Sequence, residues 1–189
     1  MAETDPPVSL KLVGTIHGRF SDQPTDDLTN PDTTSVWLRN NGFPTVLHLT
    51  DEEVADLRAL RQAIFDIFTA QTTGAAQHPA AVAELNRALG HGAVALASVD
   101  PQAPDRLIAV DAAADRADAV LYRIAADALA LTTGPHAHRV RQCTAHTCGT
   151  FFVDTSRAGN RKWCSAATCG NRARVAAHRT RARDEVSDT

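Results

Sequence analysis

The sequence predicts an α+β body followed by a small cysteine-bearing module. Three observations carry that prediction. Residues 1–134 mix apolar segments of helical period with short β-branched runs bounded by Gly and Pro. All four cysteines lie beyond residue 142. The charge divides at the same place: residues 1–138 hold 9 Lys+Arg against 18 Asp+Glu, net −9, and residues 139–183 hold 10 Lys+Arg against the single acid Asp154, net +9. The tail, 184–189, adds three acids, so the overall −3 conceals an acidic body joined to a basic module. The expected division is a body over 1–134, a module over 138–183 and an acidic tail, with Gly134-Pro135 at the boundary.

Taken in order, Val8–Ile16 reads as a strand because it is apolar and partly β-branched. Residues 18–31 are polar and turn-rich and read as a loop. Asp32 caps a short helix over Thr33–Asn40, which Gly42 and Pro44 stop. Thr50-Asp51-Glu52-Glu53 is a capping box, in which Thr50 accepts from the Glu53 N–H and Glu53 reaches back. The helix behind it places Val54, Leu57, Leu60 or Arg61, Ile64, Ile67 and Phe68 on one face, ends before Gly74 and should be the body's longest. Pro79 opens a helix that runs to Leu89, with Gly90 just past its end. Ala93–Val99 and Leu107–Val110 read as an antiparallel pair across a Pro101/Pro104 turn. A second long helix, Ala112–Leu131, carries Val120, Leu121, Ile124, Ala128 and Leu131.

In the module, Cys143-x4-Cys148 is followed after 15 residues by Cys164-x4-Cys169. Two short cysteine pairs in a chain otherwise free of cysteine read as one tetrahedral, structural zinc site before they read as disulfides. Each pair supplies a turn, here termed a knuckle, and the stretch between folds back. Gly149 and Gly170 let the backbone close around the metal. Phe151–Val153 reads as a strand with Arg161–Trp163 as its partner, Ser156–Asn160 as the turn, and a helix from Asn171 to Arg181 behind the second pair. The order knuckle, hairpin, helix is treble-clef-like, and the x4 spacing sets it apart from the commoner x2 ribbons.

These residues resemble a known family. The run Cys143-x4-Cys148-Gly149-x-Phe151-Phe152-Val153-Asp154-Thr155-Ser156, then Arg161-Lys162-Trp163-Cys164-Ser165-x3-Cys169-Gly170-Asn171-Arg172, is similar to the CGNR zinc finger, whose signature is Cys169-Gly170-Asn171-Arg172. The resemblance implies that residues 1–138 form the ABATE domain, an α+β domain ascribed to stress-induced transcription regulators. Trp37-Leu38-Arg39 and Leu57-Arg58-x-Leu60-Arg61 fit that domain's general pattern. Where its opening strand leads into an Asn-Thr pair, this chain has Val13-Gly14-Thr15, so a function tied to that Asn does not carry over from the resemblance.

Ten cations against one acid point to a polyanion, and duplex DNA is the expected partner. Candidate contacts are Arg157, Arg161 and Lys162 in the hairpin and Arg172, Arg174, Arg179, Arg181 and Arg183 on the last helix. Val175 and Ala182 face the hairpin in this reading, and Asn171 supports the zinc ligands from behind through a Cys sulfur or a knuckle carbonyl. Phe151 and Trp163 read as core. The alternatives are a solvated basic face, a contact to the acidic body, or a zinc-dependent RNA- or protein-interaction module without a transcriptional role.

No P-loop, dinucleotide fingerprint, HExxH or GxSxG occurs, and His17, His48, His78 and His91 are scattered. The body is therefore expected to be no enzyme but a domain that binds an unknown small-molecule effector or a protein partner, a homodimer included. Arg58 and Arg61, one turn apart, suit an anionic ligand or, on the favoured reading, pair at the surface with Asp51 or Glu53. No apolar run approaches the roughly 20 residues of a membrane span, and Met1–Leu10 lacks a basic signal region, so a cytoplasmic location is expected. Only two of 19 basic residues are lysine, which suggests a GC-rich bacterial genome.

Overall fold

The computed structural model describes residues 5–43, 48–91, 95–100, 103–111, 117–177 and 179. Pro44, Ala93, Pro101, the start of the Ala112–Leu131 helix, Arg181, Ala182, Arg183 and the acidic tail lie outside these residues. The fold is α+β, with a helical body and three two-stranded antiparallel sheets.

The first element corrects the sequence reading. Val8–Val13 is not a strand but a helix, α1. A short apolar run has no period that separates a strand from a buried helix, and here packing decides. Ser9, Leu10, Leu12 and Val13 are all buried where α1 meets two long helices, α3 (Asp51–Thr73) and α5 (Ala117–Thr133). Its N-terminus is held from outside: the Ser9 N–H donates to Asp127 Oδ2 on α5 at 2.8 Å, which satisfies one of the orphan amides of a helix start.

Ile16–His17 (β1) pairs with Thr25–Asp26 (β2), a short strand that interrupts the stretch 18–31 expected to be all loop. Helix α2 spans Pro31–Asn40, and its cap is Asn30 rather than Asp32. Asn30 Oδ1 accepts from the Thr33 N–H, Thr33 Oγ1 lies by the Asn30 N–H, and Pro31 fills the first turn. The Thr50–Glu53 capping box forms as expected at 3.2 and 2.7 Å. Gly74, at φ +72°, ends α3 in the left-handed conformation that suits glycine. Helix α4 is Pro79–Gly90, opened by His78 Nδ1 accepting from Ala80. Ala95–Asp100 (β3) and Ala103–Asp111 (β4) make an antiparallel pair as predicted, but β4 begins before Leu107 and takes in Pro104, a residue expected in the turn.

Helices α1, α3, α4 and α5 enclose the core, with Leu12, Leu60, Ile64, Phe68 and Ile124 at zero exposure to the nearest per cent. That core does not stop at Gly134. After a single 3-10 turn, Ala137–Arg139, strand β5 (Val140–Gln142) runs to the first cysteine and β6 (Phe151–Val153) returns from the second. Val140 and Phe151 belong to the same buried cluster as the body helices. No helix of the described residues is long and apolar enough to cross a membrane.

Candidate metal centre and basic face

β6 pairs with β5, not with Arg161–Trp163: Val140 faces Val153 and Gln142 faces Phe151. The first knuckle is therefore the turn of the hairpin itself. The cause is the seat of Phe151, whose ring centroid lies 5.5 Å from both Phe65 and Phe68 of α3. Burying that ring in the body requires the flanking strand to come from the body side. Residues 161–163 instead run beside the knuckle, where the Thr144 N–H and hydroxyl both donate to the Lys162 carbonyl at 2.9 and 3.1 Å.

The two knuckles bring the four sulfurs of Cys143, Cys148, Cys164 and Cys169 within 4.8 Å of one another. Cys148–Cys164 is 3.7 Å and Cys164–Cys169 is 3.6 Å. A tetrahedron with metal–sulfur bonds of about 2.3 Å has edges of about 3.8 Å, so the cluster fits one zinc ion. The thiols also perturb one another. A hydrogen bond with Cys164, helped by Thr150, pulls Cys148 down to about 4, while the same contact and burial push Cys164 up. Burial raises Cys169 to about 11. The Cys148 thiolate forms readily while Cys164 and Cys169 resist further negative charge, a conflict that a bound dication removes.

Two features around the sulfurs escaped the sequence reading. Thr150 Oγ1 sits 3.2 Å from Cys148 Sγ, placed to donate to a thiolate. Asp154, the module's lone acid, is 1% exposed and accepts from the Ser156 N–H at 2.9 Å and the Arg161 N–H at 2.8 Å. Burial by itself raises its pKa, yet hydrogen bonding by Ser156 and Arg161 and the nearby Arg139 charge outweigh it and hold the carboxyl below its ordinary range. A single acid among ten cations was the available signal that Asp154 had an internal task.

Beyond Asp154 the chain turns at Gly159 (φ +61°) and reaches Arg161, which spans both parts of the centre. Its guanidinium donates to the carbonyls of Trp163 (2.8 Å) and Cys164 and lies 4.7 Å from the centroid of Phe152. Phe152 in turn packs on the cysteines. A π-type turn, Ala166–Gly170, opened by Ser165 accepting from the Thr168 N–H, carries Cys169 into helix α6, residues 171–177. Gly170 is needed for close approach, because a Cβ there would meet the Trp163 ring at 3.1 Å.

The model of the CGNR zinc finger matches residues 139–182, and that of ABATE, described as "Putative stress-induced transcription regulator", matches residues 7–135. The second match alone covers about two thirds of the chain. This chain belongs to the ABATE family. No curated protein matches it.

Within this ABATE protein the predicted basic residues take different positions. Arg157, Lys162, Arg172, Arg174 and Arg179 are exposed. Arg172 makes a 3.5 Å contact to Thr147 Oγ1, and Arg174 a 3.4 Å contact to the Ala166 carbonyl. Arg161 differs from them, since its guanidinium is committed to the zinc centre. Val175 is not buried against the hairpin: it is 42% exposed, while Phe151 packs on α3 and Phe152 on the cysteines. Asn171 is exposed at the start of α6, and among the described residues no hydrogen bond joins its side chain to a cysteine or a knuckle carbonyl.

The body arginines do not pair with Asp51 or Glu53. Arg61 is buried and forms a two-pronged pair with Asp26 at 2.6 and 2.7 Å, with a third bond to Thr15 Oγ1 at 2.8 Å. Burial raises the Asp26 carboxyl, but Arg61, the Leu28 N–H and the Arg58 charge together outweigh it and hold the carboxyl below its ordinary range. Arg58 donates to the Leu28 carbonyl. Together they fasten the 15–28 loop to α3, and that loop reaches the zinc centre. The Phe20 N–H donates to the Thr147 carbonyl at 3.3 Å, Arg19 stacks on Phe65 at 4.0 Å, and Gly149 (φ +77°) sits where a Cβ would meet Arg19 and Phe20 at 3.0–3.1 Å. Beside the junction, Gln71, Thr72, Ala137, His138, Val140 and Arg141 line a half-open cleft of about 180 Å³, below the roughly 300 Å³ at which drug-sized ligand pockets begin.

Proposed function

We propose that this protein is a transcription regulator that binds duplex DNA through the basic outer side of its zinc finger, with the ABATE body taking up an effector or a protein partner. The body on this reading is regulatory rather than catalytic, and the protein works in the cytoplasm. One observation carries the proposal. The only acid of residues 139–183 is buried, so every formal charge that the described part of the module exposes is positive. Arg157, Lys162, Arg172, Arg174 and Arg179 are exposed, and fixed cations on one small module are what a phosphate backbone binds. The zinc holds the helix that carries three of them, and so supplies position rather than chemistry.

The test is a gel-shift and salt titration of the zinc-loaded full chain on duplex DNA. With about five cations on phosphates, log K should fall against log salt with a slope near −4 to −5. Arg174→Ala should reduce that slope by about one if Arg174 meets a phosphate. A folded, zinc-loaded protein without DNA affinity at low salt overturns the proposal, and retention on RNA or on a protein partner would then identify what the basic side serves.

A further inference from the structure

Helix α6 buries almost nothing. Of residues 171–177 only Ala173 is half-buried, and the other six are exposed. A helix normally holds its place by packing an apolar stripe. This one stands out from the zinc centre, fastened through Cys169 and Gly170 at its start and rich in alanine, which favours helix without tertiary help. The fold does not account for what lies on its surface.

That surface is ordered. Arg172, Val175 and Arg179 stand at i, i+3 and i+7, which places them within about 60° of arc along one side of the helix. All three are exposed, Val175 by 42%. A branched apolar side chain between two arginines leaves 42% of its surface in water, where it gains nothing. Arg174 lies on a different side and turns back toward Ala166.

We propose that Arg172, Val175 and Arg179 form a recognition stripe that enters the major groove of duplex DNA, with Val175 packing on the methyl group of a thymine. The inference rests on the DNA-binding reading above and specifies what it recognises. The charge of the flanking arginines selects a polyanion. The major groove, about 12 Å wide, admits an α-helix and displays the thymine methyl as its one apolar landmark. Seven residues at about 1.5 Å each span about 10 Å, the length of three base pairs at about 3.4 Å each. Arg172 and Arg179 are then set to read guanine edges or hold phosphates on either side of the thymine.

The experiment uses the zinc-loaded full chain. Duplexes are selected from a randomised library, and the enriched site is remade with deoxyuridine for each thymine in turn, which removes only the methyl. The native protein should lose about fourfold in affinity at one position, the value of one buried methyl. Val175→Ala should bind the thymine and uracil duplexes equally, with an unchanged salt slope, because Val175 meets no phosphate. A Val175→Ala protein that keeps the thymine preference overturns the stripe, as does salt-dependent binding without any enriched base. Absence of salt-dependent binding to any duplex overturns the DNA reading itself, and this inference with it.

Discussion

The two arms of the zinc finger meet at one metal site but belong to different parts of the molecule. The first, β5–knuckle–β6, is built into the body: Phe151 is 2% exposed against Phe65 and Phe68, and Thr147 and Gly149 lie under the Gly18–Phe20 loop. The second, Cys164 through α6, rests on the first through Thr144–Lys162, Arg161 and Phe152, and turns its helix outward. A single core therefore supports one half of the finger, and zinc with one arginine supports the other. The difference teaches that the module is not a bead on a linker. Its inner half is an extension of the ABATE body, and its outer half is what the body presents.

Withdrawing the metal is the strongest way to separate the arms, since structural zinc contributes roughly 10–16 kcal/mol to the folding of small zinc modules. One zinc per chain is expected by elemental analysis. Chelation, or Cys164→Ser, should leave residues 164–177 exchanging amide hydrogens at unprotected rates, while α3, α5 and the Phe151 amide stay protected. Loss of protection throughout α3 would show that the metal supports the body as well, and the contrast between the arms would fail.

The inner arm is tested by Phe151→Ala, which removes a ring from the middle of an aromatic cluster. A Phe→Ala change in a core costs about 3–5 kcal/mol. Denaturant unfolding should show that loss in the transition of the whole chain, with zinc still bound at one per chain. If α3 unfolds as before and only the finger melts early, Phe151 packs on the body without sharing its core.

The same contrast explains what could be read from the sequence. The cysteines, the Thr50–Glu53 box, Gly74 and the helical stripe Val120–Leu121–Ile124–Ala128 were legible because each is a local pattern with a local physical cause. The identity of α1, the partner of β6 and the seat of Phe151 were not. Each depends on packing distant in sequence, as with Ser9 on Asp127 and Phe151 on Phe65 and Phe68, and periodicity carries no such information. Arg61 shows the same limit from the polar side: one turn from Arg58 it suggests an anion grip, but its partner Asp26 lies 35 residues back. The outer arm was easier to read, since exposure leaves the charge pattern as the main determinant. Even there, Val175 was assigned inward because an apolar residue was expected to find a core.

The smallest effect concerns the hinge between the arms, Asp154, at the end of β6 where the chain leaves the body for the second knuckle. Its carboxylate accepts two backbone N–H bonds in a site that water does not reach. The Ser156 N–H donates to Oδ1 and the Arg161 N–H to Oδ2, so Asp154→Asn keeps the shape but sets its NH2 group against one of the two donors, and a buried group left without its hydrogen bond costs about 1–3 kcal/mol. The pH dependence fixes the sign. The folded pKa is held below the ordinary value, and the unfolded one is about 3.9. The stabilisation by the charged form is therefore complete above about pH 5 and is lost only as pH falls through the folded pKa. The difference in stability between native protein and Asp154→Asn should stay flat from pH 8 to pH 5. A difference that shrinks between pH 7 and pH 5 would mean a raised pKa, with the carboxyl protonated in that range. The two N–H donors would then face a neutral group, and the junction between the arms would have to be held by Arg139 and Arg161 without it.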